Sequence, residues 1–419
     1  MAPHIRRLVW TDPHLADITL PSGTMTPSRS LASGLCQSPL DPPDVFWGVG
    51  DRGPNIKPKA IVERYGAQAL GHLAASDGAK IMPLPHIGPA IGRFRIVDDS
   101  ILLEVVFELT GGDGQAIGGL PIPEGPQSDV EPVYDLSGHR LATNPNGVDS
   151  EGIAAVPDGG FWIADEYGPS LVRCDRAGRV LVRWVPKGLG ACFVGASYPI
   201  VEALPALASA RRLNRGFEAI ATSPDGSRIY VAMQSPLAHP DRAAHARSRH
   251  VRMWELDGLD GTLIHEYVSP FDSPARFLRD AALGEVQRDD IKISEILLTP
   301  DGELWVLERI SQTTKIYAVK LDSSKAAPRT LASPETRPTL EQMSRKDLKQ
   351  AGIAILDKSL IFSTDDYPDI PGDLEGMIAL SPTQLLMSND SDFGIEGAVT
   401  QFWIVDLERP CVAQRQPPQ

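Results

Sequence analysis

The chain has 419 residues, 42% of them hydrophobic, and a formal net charge of −14 at pH 7. That charge argues against nucleic acid as a partner, and no apolar run reaches the roughly 18 residues needed to span a membrane. The 37 glycines and 37 prolines, with no long helical periodicity, suit many short strands joined by turns.

Met1 to Leu20 lacks the apolar core of a secretory signal. The chain as written is therefore expected in the cytoplasm, or outside the cell if a signal has been removed. Ile5 to Leu20 offers a strand with no partner nearby in sequence. A first, degenerate unit begins at Ser33-Gly34-Leu35. After an insertion containing Asp41-Pro42-Pro43, the run Val45 to Gly50 leads to Asp51-Arg52-Gly53-Pro54-Asn55, which places Asp51 where Asp165 and Asn389 fall in their own units. Ile91 to Val97 and Ile101 to Leu109 follow as its third and fourth strands. Gly111 to Asn146 is rich in Gly and Pro and reads as an insertion, glycine cluster included.

The second unit opens at Asp149-Ser150-Glu151-Gly152, turns at Pro157-Asp158-Gly159 and ends its second run at Asp165-Glu166. Leu171 to Cys174 and Val180 to Val185 complete it. An insertion over about residues 186–213 carries a predicted short helix, Ala203 to Arg212. The third unit has Glu218, the turn Pro224-Asp225-Gly226 and the end Gln234-Ser235. Its insertion at 236–250 holds His239, His245 and His250, which read as a solvated loop rather than a metal cluster. Val251 to Leu256 and Thr262 to Val268 are its outer strands. The fourth unit has Glu295, Pro300-Asp301-Gly302 and Glu308-Arg309, then Lys315 to Leu321 and Ile353 to Ser363. Between those two strands lies the polar stretch 322–350, with a predicted helix over Thr339 to Gln350. The fifth unit has Glu375, Ser381-Pro382-Thr383, Asn389-Asp390 and Gln401 to Leu407, and lacks a fourth strand.

A period of roughly 65 to 80 residues, each unit opening with two short strands around a tight turn, is the signature of a propeller. The expectation is an all-β fold, a single β-propeller domain over residues 1–419, with five blades, or six if one is hidden in an insertion. Pairing the N-terminal strand with the C-terminal one would close the ring and leave no open edge. A hairpin returns the end of its second strand to the start of its first. Glu151, Glu218, Glu295 and Glu375 would then share one channel mouth with Asp165, Glu166, Asn389 and Asp51. Packed carboxylates repel and raise one another's pKa unless a cation compensates, and an all-oxygen ligand set suits calcium. The alternative for each glutamate is a cap on local backbone amides.

Other chemistries are not indicated. The chain has no Gly-x-Ser-x-Gly elbow, no P-loop and no His-Glu-x-x-His. Cys36, Cys174, Cys192 and Cys411 have no CxxC spacing. One or two disulfides are allowed in an exported form but not required.

The segments Asp149 to Ala154, Phe161 to Ser170, Asn214 to Ile220 and Met233 to Leu237 resemble the phytase-like family, whose members are described as having esterase-like activity of phytase. The resemblance runs from about Ser33 to Leu407. It implies a β-propeller and a hydrolase of phosphate or carboxylic esters. The layout is also similar to the calcium-bearing propeller lactonases and esterases. On that pattern Glu151, Glu218, Glu295 and Glu375, then Asp51 and Asn389, are the candidate calcium ligands. Asp165 or Glu166 is the candidate general base. Arg52 and Arg309 are candidates to hold an anionic small-molecule substrate, with ion pairing to neighbouring acids as the alternative. Tyr167 is a pocket wall or a hydrogen-bond donor. Three readings of function stay open: an ester, lactone or phosphomonoester hydrolase, a non-catalytic binding propeller with a structural metal, and an isomerase or lyase reusing the same mouth.

Overall fold

A computed structural model describes residues 4–125 and 130–407; Cys411 lies outside them. Five antiparallel sheets follow one another along the chain, each built mainly from four strands. Sheet one comprises Gly34–Cys36, Val45–Val49, Ala90–Val97 and Ser100–Glu108. Sheet two comprises Ser150–Ala155, Phe161–Asp165, Ser170–Cys174 and Val180–Pro186. Sheet three comprises Phe217–Thr222, Arg228–Met233, His250–Asp257 and Leu263–Pro270. Sheet four comprises Lys292–Leu298, Glu303–Arg309, Thr314–Lys320 and Lys358–Ser363. Sheet five comprises Leu374–Ser381, Gln384–Asn389 and Phe402–Asp406, and its fourth strand is Ile5–Leu8 from the N-terminus. The first strands of the five sheets touch in a cycle, sheet one to two and onward to five, and five back to one.

Local sequence explains the hairpins. Gly159, Gly226 and Gly302 close the Pro-Asp-Gly turns at φ of 92°, 71° and 83°, a region that favours glycine. The innermost strands then pack very closely. A Cβ on Gly34 would lie 2.6 Å from the Glu151 carbonyl oxygen of sheet two, so only hydrogen fits there. Between sheets the core is aromatic and aliphatic. Trp47 of sheet one meets Phe161 of sheet two at 4.9 Å between ring centroids, and Phe46 meets Phe402 of sheet five at 5.8 Å. Each such buried ring contributes roughly 1.5 to 3 kcal/mol, so the sheets cohere through their faces.

Several expected elements differ in detail. Of Ile5 to Leu20, only Ile5–Leu8 joins sheet five, and Ile18–Leu20 instead pairs with Gly23–Met25. The last strand of sheet four starts at Lys358 rather than Ile353. The predicted helix over Ala203 to Arg212 is absent. Ile200–Leu204 adds to sheet two as a parallel fifth strand, and Ala206–Ala210 forms a 3-10 turn. The helix expected over Thr339 to Gln350 shortens to Arg345–Gln350, because Ser344 and Asp347 form a capping box that starts it there. An insertion between the second and third strands of sheet one carries a helix, Pro58–Tyr65, and a 3-10 segment, Gln68–Ala75.

The three histidines of the 236–250 insertion are buried rather than solvated. His245 Nδ1 donates to the Pro236 carbonyl (2.6 Å), and His250 Nε2 donates to that of Leu340 (2.7 Å). Cys36, Cys174 and Cys192 are buried free thiols.

Candidate functional site

The site is built by a repeated irregularity. In sheets two to five, pairing between the first two strands breaks at one residue: Glu151, Glu218, Ser294 and Glu375. A bulge of this kind leaves its extra residue unpaired and re-aims its side chain. Ser33 precedes the corresponding pair, Gly34 with Val49, in sheet one. Glu295 does not belong to this row, a correction to the sequence register. It lies one position on, where the other sheets have Gly34, Gly152, Ala219 and Gly376. In a strand one position reverses the face. Its carboxylate crosses to accept the Leu35 amide of sheet one (3.2 Å) as well as the Ile296 amide (3.0 Å). Glu295 is therefore a backbone cap inside the ring, and burial holds its carboxyl well above the usual range.

The ends of the second strands also shift by one. The same pairings align Asp51 with Glu166, Gln234, Arg309 and Asp390. Asp165 and Asn389 fall in the preceding row, where Asp51 had been expected to match them. Asp165 has no exposure, and its carboxylate accepts from the amides of Asp149 (2.8 Å) and Tyr167 (3.1 Å), from Ser170 Oγ and from Arg183 Nη2 (2.5 Å). With every direction occupied, Asp165 fixes the turn at Asp149 and Tyr167. Asn389 donates to the carbonyls of Asp390 and Val399 and accepts the Gln401 amide, so its side chain is held by its own loop.

Two overlapping groups of acids occupy the mouth. Oxygens of Asp51, Asp149 and Glu151 lie within 4.8 Å of one another, as do those of Glu151, Glu166 and Glu218. Asp149 is 1% exposed, and neither of its oxygens accepts a hydrogen bond. Its sole compensating charge among the described residues is Arg52 Nη1 at 2.9 Å. Without a further cation, the relief open to Asp149 is protonation. Burial first, with smaller contributions from neighbouring acids, raises the carboxyls of Asp149 and Glu151 well above the usual range. Burial and then Glu218 push Glu166 up to about 7. Glu166 Oε1 accepts the Gly216 amide (3.0 Å). Glu218 accepts from Gln234 Nε2 (2.5 Å).

Both arginines singled out in the sequence are ion-paired between sheets. Arg52 Nη1 donates to Glu131 (2.5 Å) and to the Tyr167 hydroxyl (3.1 Å), and Nη2 donates to Asn214 (2.9 Å). Tyr167 in turn donates to the Gly119 carbonyl (3.0 Å) and also lines a small cavity, so it is both donor and wall. Arg309 donates to Asp373 and Glu375 of the next sheet and to Ser294 Oγ (2.7 Å).

Sequence reasoning missed Asp149, Asp390 and Glu131. Asp390 accepts from Ser30 and Ser33, and burial with Asp392 pushes its carboxyl up to about 7. One signal was present: Asp149 and Asp373 both stand two residues before a bulge glutamate. Glu131 had none, since it comes from an insertion.

A cavity of about 10 Å³ lies over Asp149, Glu166, Glu131 and Tyr167, walled by Ile122 and Asn214. That is about the size of one water-sized sphere. The arrangement can chemically hold a hard cation against Asp51, Asp149 and Glu151, with a titrating carboxyl, Glu166, beside it.

A family model described as phytase-like, esterase-like activity of phytase, matches residues 32–393. An uncharacterized secreted protein of Arthroderma benhamiae is 29% identical over 288 residues, 64% of this chain and 54% of that protein. The chain thus spans about half the length of the curated relative it matches. Among solved structures, regucalcin from Agrobacterium tumefaciens, titled a calcium-binding protein, is 10% identical with a TM-score of 0.35, covering 95% of each chain. The Malassezia sympodialis allergen Mala s 1 is 11% identical with a TM-score of 0.35, over 95% of this chain and 84% of that one. No helix among the described residues is long and apolar enough to cross a membrane.

Proposed function

The chain belongs to the phytase-like family, and from that premise we propose a calcium-assisted hydrolase of an ester, lactone or phosphomonoester, built as a five-bladed β-propeller closed by its N-terminal strand. The observation that carries the reading is Asp149. Its buried carboxylate accepts no hydrogen bond, and its one ion pair, to Arg52, is shared with Glu131; crowding Asp51 and Glu151 beside it is costly unless a further cation or a proton is present.

Asp51, Asp149 and Glu151 would hold the ion, with Glu166 and Glu218 at its far side. Bound calcium would supply Lewis-acid polarisation of a carbonyl or phosphoryl oxygen. Glu166 would take a proton from water at Oε2, since Oε1 is held by the Gly216 amide. A carboxyl near pH 7 is suited to that exchange at neutral pH. Arg52 holds Asp149 in place, and Asp165 fixes the Asp149 and Tyr167 backbone around it.

A second reading, a binding propeller with a structural ion, is favoured by the lack of room beside the acids, since the cavity over Asp149 and Glu166, of about 10 Å³, admits no substrate group. One experiment separates the two. Melting temperature and hydrolysis of p-nitrophenyl acetate and p-nitrophenyl phosphate are measured in calcium and in EDTA. For the hydrolase, calcium raises the melting temperature, in line with about 2.7 kcal/mol at a hundredfold excess over Kd, and EDTA abolishes turnover. Asp149→Asn should lose the calcium response, and Glu166→Gln should keep it while losing turnover. A calcium response with no turnover of any ester, lactone or phosphate supports the binding propeller. A melting curve indifferent to calcium, with no divalent metal in the purified protein, refutes both.

A further inference from the structure

A second cleft, of about 430 Å³, shares Glu131 and Asn214 as walls with the small cavity over Asp149 and Glu166. It is lined by the cations Lys57, Lys59, Lys80, Arg212, Arg215 and Arg242 against the carboxylates of Asp77 and Glu131. A cationic concentration of this kind in a chain of net charge −14 focuses a positive potential at one place.

Most of these charges have partners. Arg242 faces Asp77 (3.6 Å), Lys59 faces Glu63 (3.7 Å), Arg212 faces Asp289 (3.6 Å), and Glu131 is held by Arg52. Among the described residues Lys57 has no ion pair either, but it is exposed to solvent; Lys80 and Arg215 are different. Lys80 Nζ donates to the neutral Asn55 (3.0 Å), and Arg215 Nη1 to the neutral Gln234 (2.7 Å). Among the described residues, neither has a carboxylate within ion-pair distance. Both are only partly exposed, and burial lowers the pKa of each below its ordinary value. Both also feel the mouth electrostatically: Lys80 through Glu131 and Asp51, Arg215 through Glu166 and Glu218. A half-buried cation without a counter-charge is unfavourable in the free protein and becomes favourable when an anion arrives.

We propose that this cleft is an oxyanion subsite, in which Lys80 and Arg215 grip a carboxylate or phosphoryl group of the ligand. Arg215 can meet either group with two parallel N–H donors, and Lys80 adds a point charge. The part of the inference that joins this anion to a reacting group over Asp149 and Glu166 rests on the hydrolase reading above; the anion site itself does not. It reassigns a role first expected of Arg52 and Arg309, whose guanidinium groups are already engaged by carboxylates.

The test is calorimetric titration of inorganic phosphate and, separately, of malonate, into EDTA-treated and calcium-loaded protein at low ionic strength. The wild type should bind at least one anion with a Kd below about 10 mM. Phosphate alone indicates a phosphoryl ligand, and malonate alone indicates a carboxylate. Lys80→Met and Arg215→Met should each weaken binding about tenfold or more while the calcium shift in melting temperature is retained. Should Lys80→Met fail to fold, Lys80→Gln, which can keep the bond to Asn55, takes its place. Failure of both anions to bind, or variants that bind like wild type, overturns the subsite and leaves the hydrolase reading standing. Anion binding without any calcium response overturns only the metal.

Discussion

At the scale of residues, the mouth is governed by carboxyls that burial keeps from ionising. Glu166 and Asp390 are both pushed up to about 7 from the usual 4.5 and 3.8. A group whose folded pKa is raised lends its full stabilisation below its unfolded pKa and loses it as pH climbs through the folded value. The calcium-free protein should therefore melt at steadily lower temperature between about pH 5 and pH 8. Calcium at Asp149 and Glu151 would need their ionised forms, and burial raises both of these carboxyls as well, so the ion competes with fewer protons as pH rises. The gap between melting temperatures in calcium and in EDTA should widen across that window, as scanning calorimetry at intervals of pH would show. A constant gap would mean that these carboxyls do not titrate with the ion. The glutamates at the bulges were legible from the sequence because each precedes a short apolar run and a turn. Asp149 was visible within the same motif, yet its importance lies in what it lacks: hydrogen-bond donors, which only the fold can reveal.

At the scale of elements, the hairpin repeat was legible and its register was not. The Pro-Asp-Gly turns and apolar runs mark each pair of strands, because turn chemistry and strand patterning are local. A bulge adds one residue without altering the pattern around it. So Ser294 and Glu295 could not be told apart by spacing, and Asp51 was matched to Asp165 instead of to Glu166. Glu295 shows what one position does: a side chain expected at the mouth instead joins sheets four and one through the Leu35 amide. Glu295→Ala should leave the Leu35 and Ile296 amides short of an acceptor and cost about 1 to 3 kcal/mol. Glu295→Gln keeps one acceptor oxygen but turns an NH2 donor toward the second amide, so it should cost less than alanine without being neutral. Calcium binding should survive in both. Urea unfolding of the two variants checks the order, and loss of the calcium response in Glu295→Gln would return this residue to the metal set.

At the scale of the whole molecule, the ring pattern follows from periodicity, whereas the two neighbouring cavities do not. Lys57 and Lys80 come from the segment between the second and third strands of sheet one, Glu131 from the insertion after it, and Arg215 from the approach to sheet three. No local pattern brings together residues so far apart; only the stacking of sheets does. The same stacking makes the chain ends matter. Ile5–Leu8 pairs with Phe402–Asp406, and Leu8 is 2% exposed in the cluster with Phe46, Phe94 and Phe402. Without that strand, sheet five would present an unpaired edge, and the contact between its last strand and sheet one would lose its apolar cover. Leu8→Asp places a charge in that cluster without shortening the chain. It should cost more than about 3 kcal/mol, combining lost burial with an unpaired buried carboxylate. Deleting residues up to Leu8 should lower the melting temperature and promote concentration-dependent association through the exposed edge. Adding the excised segment as a free peptide should restore part of the stability, because an open edge accepts a strand in trans. A truncated protein that melts like the full chain and stays monomeric in light scattering would show that the ring does not depend on this closure.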